Sequence, residues 1–141
     1  MNRNVIRMGF IGCGKMAGSI IKGVLASNGS ENFEIIGSEV NAELAKAASE
    51  RLGIKVMNSN IELAKQADIL VIATKPAQVL NVIEEIKSVF AEDKLLISIA
   101  AGVSTKKINS ILTKQRVIRV MPNTPALLGY GMAGVAKGSF A

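Results

Sequence analysis

The chain has 141 residues, 49% of them hydrophobic and 20% charged, which fits one globular domain with a real core. One Cys and no His exclude an internal disulfide framework, a Cys–His zinc site, a Ser-His-Asp triad and a His general base. The net charge of +6 is scattered and not interleaved with aromatic residues, so it suits a phosphate-rich ligand better than nucleic acid.

Strand and helix patterns alternate along the chain. Val5 to Ile11 is a short apolar strand. It runs into the glycine turn Gly12-Cys13-Gly14-Lys15-Met16-Ala17-Gly18, and Ser19 to Ala26 then shows helical spacing. The junction is G-x-G-x-x-A. Such a strand–turn–helix presents backbone N–H groups and a helix N-terminus to a pyrophosphate. Gly12 permits the tight turn, Gly14 lets a diphosphate approach the backbone, and Ala17 is small enough for the helix to pack on the sheet. Lys15 adds a cation, and Cys13 reads as a small residue in a crowded turn. The same pattern is also compatible with a tight turn that binds nothing.

Asn28-Gly29-Ser30 is a turn, and Phe33 to Gly37 a second strand. Asn41 to Leu52 is a helix with Asn41 as its N-cap, stopped by Gly53. Ile54 to Met57 is a third strand, Asn58 to Asn60 a loop, and Ile61 to Gln66 a short helix. Asp68 to Ala73 is a continuous apolar run, the mark of a strand buried on both faces. Lys75-Pro76 ends it, and Val79, Leu80, Val82, Ile83 and Ile86 recur with helical spacing. Leu95 to Ala100 is a fifth strand. Ala101 to Ser104 turns into a helix through Ile108, Ile111 and Leu112. Arg116 to Met121 is a sixth strand, broken by Pro122-Asn123-Thr124-Pro125. Residues 126–141 are glycine-rich, with room for one edge strand. The chain stops there without a capping helix, as the front part of a longer protein would.

This alternation predicts an α/β fold of the Rossmann type, a doubly wound, mainly parallel sheet with helices on both faces. No run approaches the ~20 apolar residues of a membrane span, and no secretory signal stands out. With its lone Cys, the chain reads as cytoplasmic.

In such a sheet, ligands bind beyond the carboxyl ends of the strands. Six loops fall there: Gly12 to Ala17, Ser38-Glu39, Asn58 to Asn60, Thr74 to Pro76, Ala100 to Ser104, and Met121 to Pro125. Glu39 lies about 20 residues past the glycine turn, where an acidic side chain accepts from ribose hydroxyls. It is also one or two residues late, so Ser38 is an alternative contact and Glu39 an alternative solvated charge. NAD(H) and NADP(H) both stay open as cofactor. Ala73 and Thr74 are small enough for a cofactor to lie across them, with Lys75 held at the sheet edge by Pro76. Ala100-Ala101-Gly102 is a second small-residue passage. Asn123 and Thr124 are polar groups held between prolines, for a ligand or for capping the loop. No metal-ligand set and no acid–base residue stands out.

Four blocks together resemble pyrroline-5-carboxylate reductase. They are Phe10 to Ala17, Ala73-Thr74-Lys75-Pro76, Ser98 to Ser104, and Arg119-Val120-Met121-Pro122-Asn123-Thr124-Pro125-Ala126. The resemblance covers essentially the whole chain and implies reduction of Δ1-pyrroline-5-carboxylate to L-proline by NADPH or NADH. It implies that Gly14, Lys15 and Met16 hold the diphosphate, and that Ser38 and Asn60 lie near the adenosine ribose. Ala73, Lys75, Pro76, Ala100 and Ala101 would lie on the nicotinamide side, and Asn123 to Pro125 would face the substrate. Members of that family carry a second, helical domain that makes the homo-oligomer and much of the substrate pocket. Residues 1–141 resemble the cofactor domain alone, which is expected to bind NAD(P)H and to reduce substrate poorly. Glu39 leaves open whether the NADPH preference common in that family holds here. The competing readings are the front domain of a deazaflavin-dependent NADP reductase or a 3-hydroxyacid dehydrogenase, and a non-catalytic nucleotide-binding module.

Overall fold

The computed structural model describes residues 5–27, 30–122 and 133–138. Its strands are β1 (Ile6–Ile11), β2 (Phe33–Ser38), β3 (Lys55–Met57), β4 (Ile69–Ile72), β5 (Leu95–Ser98), β6 (Arg116–Pro122) and β7 (Ala133–Lys137). The helices are α1 (Lys15–Leu25), α2 (Ala42–Leu52), α3 (Asn60–Gln66), α4 (Pro76–Ile86) and α5 (Thr105–Asn109), with a 3-10 turn at Ser30–Asn32.

One sheet runs in the order β3-β2-β1-β4-β5-β6-β7. Neighbours from β3 to β6 are parallel, and β7 pairs antiparallel with β6. The chain moves outward from β1 to β3 and returns to β4 on the other side of β1. The strand order therefore reverses between β1 and β4, and a crevice opens beyond their carboxyl ends. This is the Rossmann-like fold expected from the alternation.

Side-chain alternation divides the core into two layers. Phe10, Ile35 and Val71 point to the α1–α2 face and pack with Ala17, Ile21, Ala48 and Leu52. Their neighbours Ile11, Ile36, Leu70 and Ile72 point the other way, onto Leu63, Val79, Ile83 and Ile108 of α3, α4 and α5. Strands buried on both faces read as unbroken apolar runs for this reason. Ala17 is buried against the sheet, as its small size requires.

Three local readings differ from the structure. Helix α1 begins at Lys15 rather than Ser19, because within the turn only Gly12 has positive φ and Gly14 is already an extended N-cap. Lys15, Met16 and Ala17 are thus the first helical turn. Helix α5 stops at Asn109, short of Ile111 and Leu112. There the Asn109 side-chain amide donates to the Leu112 and Gln115 carbonyls, offering the backbone an alternative to more helix. Pro122 does not break β6 but ends it, paired with Ala133. Pairing with β5 stops at Arg119, so the missing N–H falls where β6 has one neighbour. Among the described residues, no helix is long and apolar enough to cross a membrane.

Candidate cofactor-binding site

The crevice is organised by the turn after β1. Gly12 has φ +90°, and a Cβ there would sit 3.0 Å from the Ala73 carbonyl oxygen. The Gly12 N–H donates to the Ser38 carbonyl at 3.0 Å, and the Ala73 N–H to the Ile11 carbonyl at 2.8 Å. The ends of β1, β2 and β4 are thereby tied together. Gly14 is different. Its φ is −77°, open to any residue, and a Cβ there would meet nothing within 4 Å. The fold gives no packing reason for this glycine, whereas a diphosphate lying on the turn would. Helix α1 has no side-chain cap at its N-terminus and no acidic residue in its first turn. Among the described residues no side chain caps its N-terminal N–H groups, and the positive dipole end there favours an anion.

From this turn a groove of about 710 Å³ crosses the sheet edge. Gly12, Cys13, Gly14, Ser38, Glu39, Asn60, Ala73, Thr74 and Lys75 line it. Lys15, Met16, Ala17, Pro76, Ala100 and Ala101 do not. Pro76 is the first residue of α4 and Lys75 its N-cap. Ala100 is buried and Ala101 exposed beyond β5. Asn123, Thr124 and Pro125 lie outside the described residues.

The β2 side of the groove is held by hydrogen bonds. Ser38 is fully buried and its hydroxyl donates to Asn60 Oδ1 at 2.7 Å. Asn60 Nδ2 in turn donates to Glu85 Oε1 at 3.0 Å. The Cys13 N–H donates to Glu39 Oε2 at 2.9 Å, and Arg51 Nη2 to the Cys13 carbonyl at 2.6 Å. The Cys13 thiol is packed so closely that a Cβ on Gly37 would lie 2.7 Å from its sulfur. Burial, followed by the Glu39 carboxylate, pushes that thiol up to about 11, against smaller opposing effects of the Ser38 backbone and Arg51. It is a packed neutral group, not a nucleophile.

On the β4 side, Thr74 Oγ1 is buried without a hydrogen-bond partner among the described residues. A buried hydroxyl in this state costs stability unless a ligand atom reaches it. The residues fit an extended dinucleotide: an open glycine and helix N-terminus in the middle, a carboxylate at one end, and an unpaired hydroxyl beside a cation at the other.

A family model described as NADP oxidoreductase, coenzyme F420-dependent, matches residues 7–102. The chain belongs to this family. Within it, the chain is similar to proteins named pyrroline-5-carboxylate reductase. The one from Haemophilus influenzae is 40% identical over 127 residues, which is 89% of this chain and 46% of that protein. The solved reductase from Coxiella burnetii superposes with a TM-score of 0.87 at 32% identity, covering 99% of this chain and 52% of the other. The Plasmodium falciparum enzyme, solved with NADP bound, superposes at 0.82 with 28% identity, covering 99% and 51%. The chain spans about half the length of the relatives it matches.

The groove is also lined by residues that the sequence reading missed. Val40 and Leu44 line the groove beside Glu39 while 72% and 48% exposed. Gln78, Asn81, Val82 and Glu85 line it from α4. Their i, i+3, i+4, i+7 spacing marks one helix face. Once Pro76 fixes the helix start, that face is legible beside the buried stripe of Val79, Ile83 and Ile86.

Proposed function

We propose that this chain is the NAD(P)H-binding part of a cytosolic, homo-oligomeric reductase that converts Δ1-pyrroline-5-carboxylate to L-proline. The observation that carries the reading is the juxtaposition of Gly14, which no packing explains, with the uncapped N-terminus of α1 at the strand-order reversal. It is supported by similarity to reductases of that name over nearly the whole chain. The block from Arg119 to Ala126 favours the imine substrate over a hydroxyacid.

In this reading Gly14, Lys15 and Met16 hold the diphosphate through backbone N–H groups. Ser38, Glu39 and Asn60 form the adenosine side. Ala73, Thr74, Lys75 and Pro76, with Ala100 and Ala101, border the nicotinamide side. The bound nicotinamide supplies a hydride, and this chain contributes position and electrostatics. Thr74 offers its unpaired hydroxyl to the ligand, and Lys75 adds positive charge suited to a carboxylate substrate. Asn123, Thr124 and Pro125, which lie outside the described residues, are assigned to substrate contact by the family resemblance alone. No residue of this chain is assigned to proton donation. The second wall of the pocket comes from the helical domain of the longer relatives, so residues 1–141 alone turn over slowly or not at all.

Calorimetric titration of the chain with NADH and NADPH tests the cofactor reading. Imine reduction after fusion to the helical domain of a longer relative tests the activity. Cofactor binding without imine reduction in that fusion would replace the enzyme reading with a regulatory one. The family description favours a second reading, electron exchange between a nicotinamide and a deazaflavin. Deazaflavin reduction by the same fusion, with no imine turnover, would establish it.

A further inference from the structure

We infer that Glu39 makes this groove select NADH over NADPH. The inference rests on the proposed dinucleotide reading and runs against the NADP of the family description. The Glu39 backbone is fixed at the end of β2, where its N–H donates to the Met57 carbonyl at 3.0 Å. Its carboxylate is drawn over the glycine turn by the Cys13 N–H, 2.9 Å from Oε2. Among the described residues the carboxylate makes this one hydrogen bond, so oxygen lone pairs stay free to accept from two ribose hydroxyls.

A diphosphate seated on Gly14 and α1 brings the adenosine ribose to the end of β2. A 2′-phosphate on that ribose carries about −1.5 to −2 charges and would face the Glu39 carboxylate. The other charges of the groove do not relieve this. Glu85 is a second carboxylate on the same side, bound to Asn60. Lys75 is the one cation among the described lining residues, and it stands on the β4 side. The Arg51 guanidinium donates to the Cys13 carbonyl and does not line the groove. The adenosine end therefore offers two negative groups and no lining cation. This arrangement accepts hydrogen bonds from a diol and repels a phosphate.

The test is calorimetric titration of the 141-residue chain with NADH and NADPH, and with 5′-AMP and 2′,5′-ADP as probes of the adenosine end. Unmodified chain is expected to bind NADH at least about tenfold more tightly than NADPH, with the adenosine fragments in the same order. Glu39→Gln keeps an oxygen for the Cys13 N–H but removes the charge, and is expected to bring the two within about threefold, mainly by tightening NADPH. Glu39→Ser serves the same purpose if Glu39→Gln lowers the melting temperature. Equal or tighter binding of NADPH by the unmodified chain would overturn the inference and leave the dinucleotide reading standing. So would an unchanged ratio in both folded variants. If neither NADH nor NADPH binds, the dinucleotide reading falls, and the inference with it.

Discussion

The two sides of the groove are built differently. On the β2 side, Ser38, Asn60, Glu85, Glu39 and Cys13 satisfy one another through hydrogen bonds of 2.7 to 3.0 Å. On the β4 side, Thr74 carries a buried hydroxyl with no partner among the described residues, next to an exposed Lys75. A side whose polar groups are already paired holds its shape before any ligand arrives and can discriminate among ligands. A side with an unpaired buried group gains most from being occupied. The turn from Gly12 to Gly14 joins the two and repeats the contrast, with one glycine required by the fold and the other under no packing demand.

The largest effect should come from breaking the joint itself. Gly12→Ala forces a side chain into positive φ and against the Ala73 carbonyl, and should cost about 2–4 kcal/mol in a denaturant melt. Gly14→Ala should cost about 1 kcal/mol or less, yet weaken NAD(P)H binding by about tenfold or more. Equal losses of stability in the two variants would erase the distinction between them.

The Cys13 thiol gives the next effect, on the paired side. Its pKa is 9.0 in an open chain and about 11 when folded. Between these values the unfolded chain has lost a proton that the folded chain keeps. Stability is therefore full below pH 9 and falls as pH rises through about 11, by on the order of 2–3 kcal/mol. Melts of the chain and of Cys13→Ala from pH 8 to 11 should show this component in the first and not in the second. Ser38→Ala leaves Asn60 Oδ1 without its donor and should destabilise by about 1–2 kcal/mol.

Thr74→Val sharpens the contrast with the smallest change. Removing a buried hydroxyl that has no partner should leave the free chain unchanged or stabilise it by up to about 1 kcal/mol, while lowering cofactor affinity. Ser38→Ala and Thr74→Val thus have opposite signs for stability, as thermal melts would reveal. A clear loss of stability in Thr74→Val would mean that the hydroxyl serves the fold.

Much of the fold is legible along the chain because a strand covered on both faces must be apolar throughout. The runs Asp68 to Ala73 and Leu95 to Ala100, which contain β4 and β5, stand out for that reason. The turn is legible because positive φ at Gly12 needs glycine. The beginning of α1 at Lys15 was less visible, since two glycines in three residues obscure which of them ends the turn. The stop of α5 depends on Asn109 reaching forward to Gln115, a contact that periodicity does not encode. Gln78, Asn81 and Glu85 were missed because polar positions of an amphipathic helix look like ordinary solvent-facing residues until something lies over them, and Val82 because it reads as part of the apolar helix pattern.

By itself the sequence determined the alternation of strands and helices, the six loops at their carboxyl ends, and the glycine turn, since local sterics and burial patterns are written residue by residue. Only the tertiary structure decided which loops meet. It brought β1 beside β4, closed the Ser38–Asn60–Glu85 chain, and turned Glu39 onto the Cys13 N–H. The three hydrogen bonds join residues 22 to 26 positions apart and the β1–β4 pairing joins residues farther still, and strand order with crossover geometry, rather than any local pattern, sets such distances.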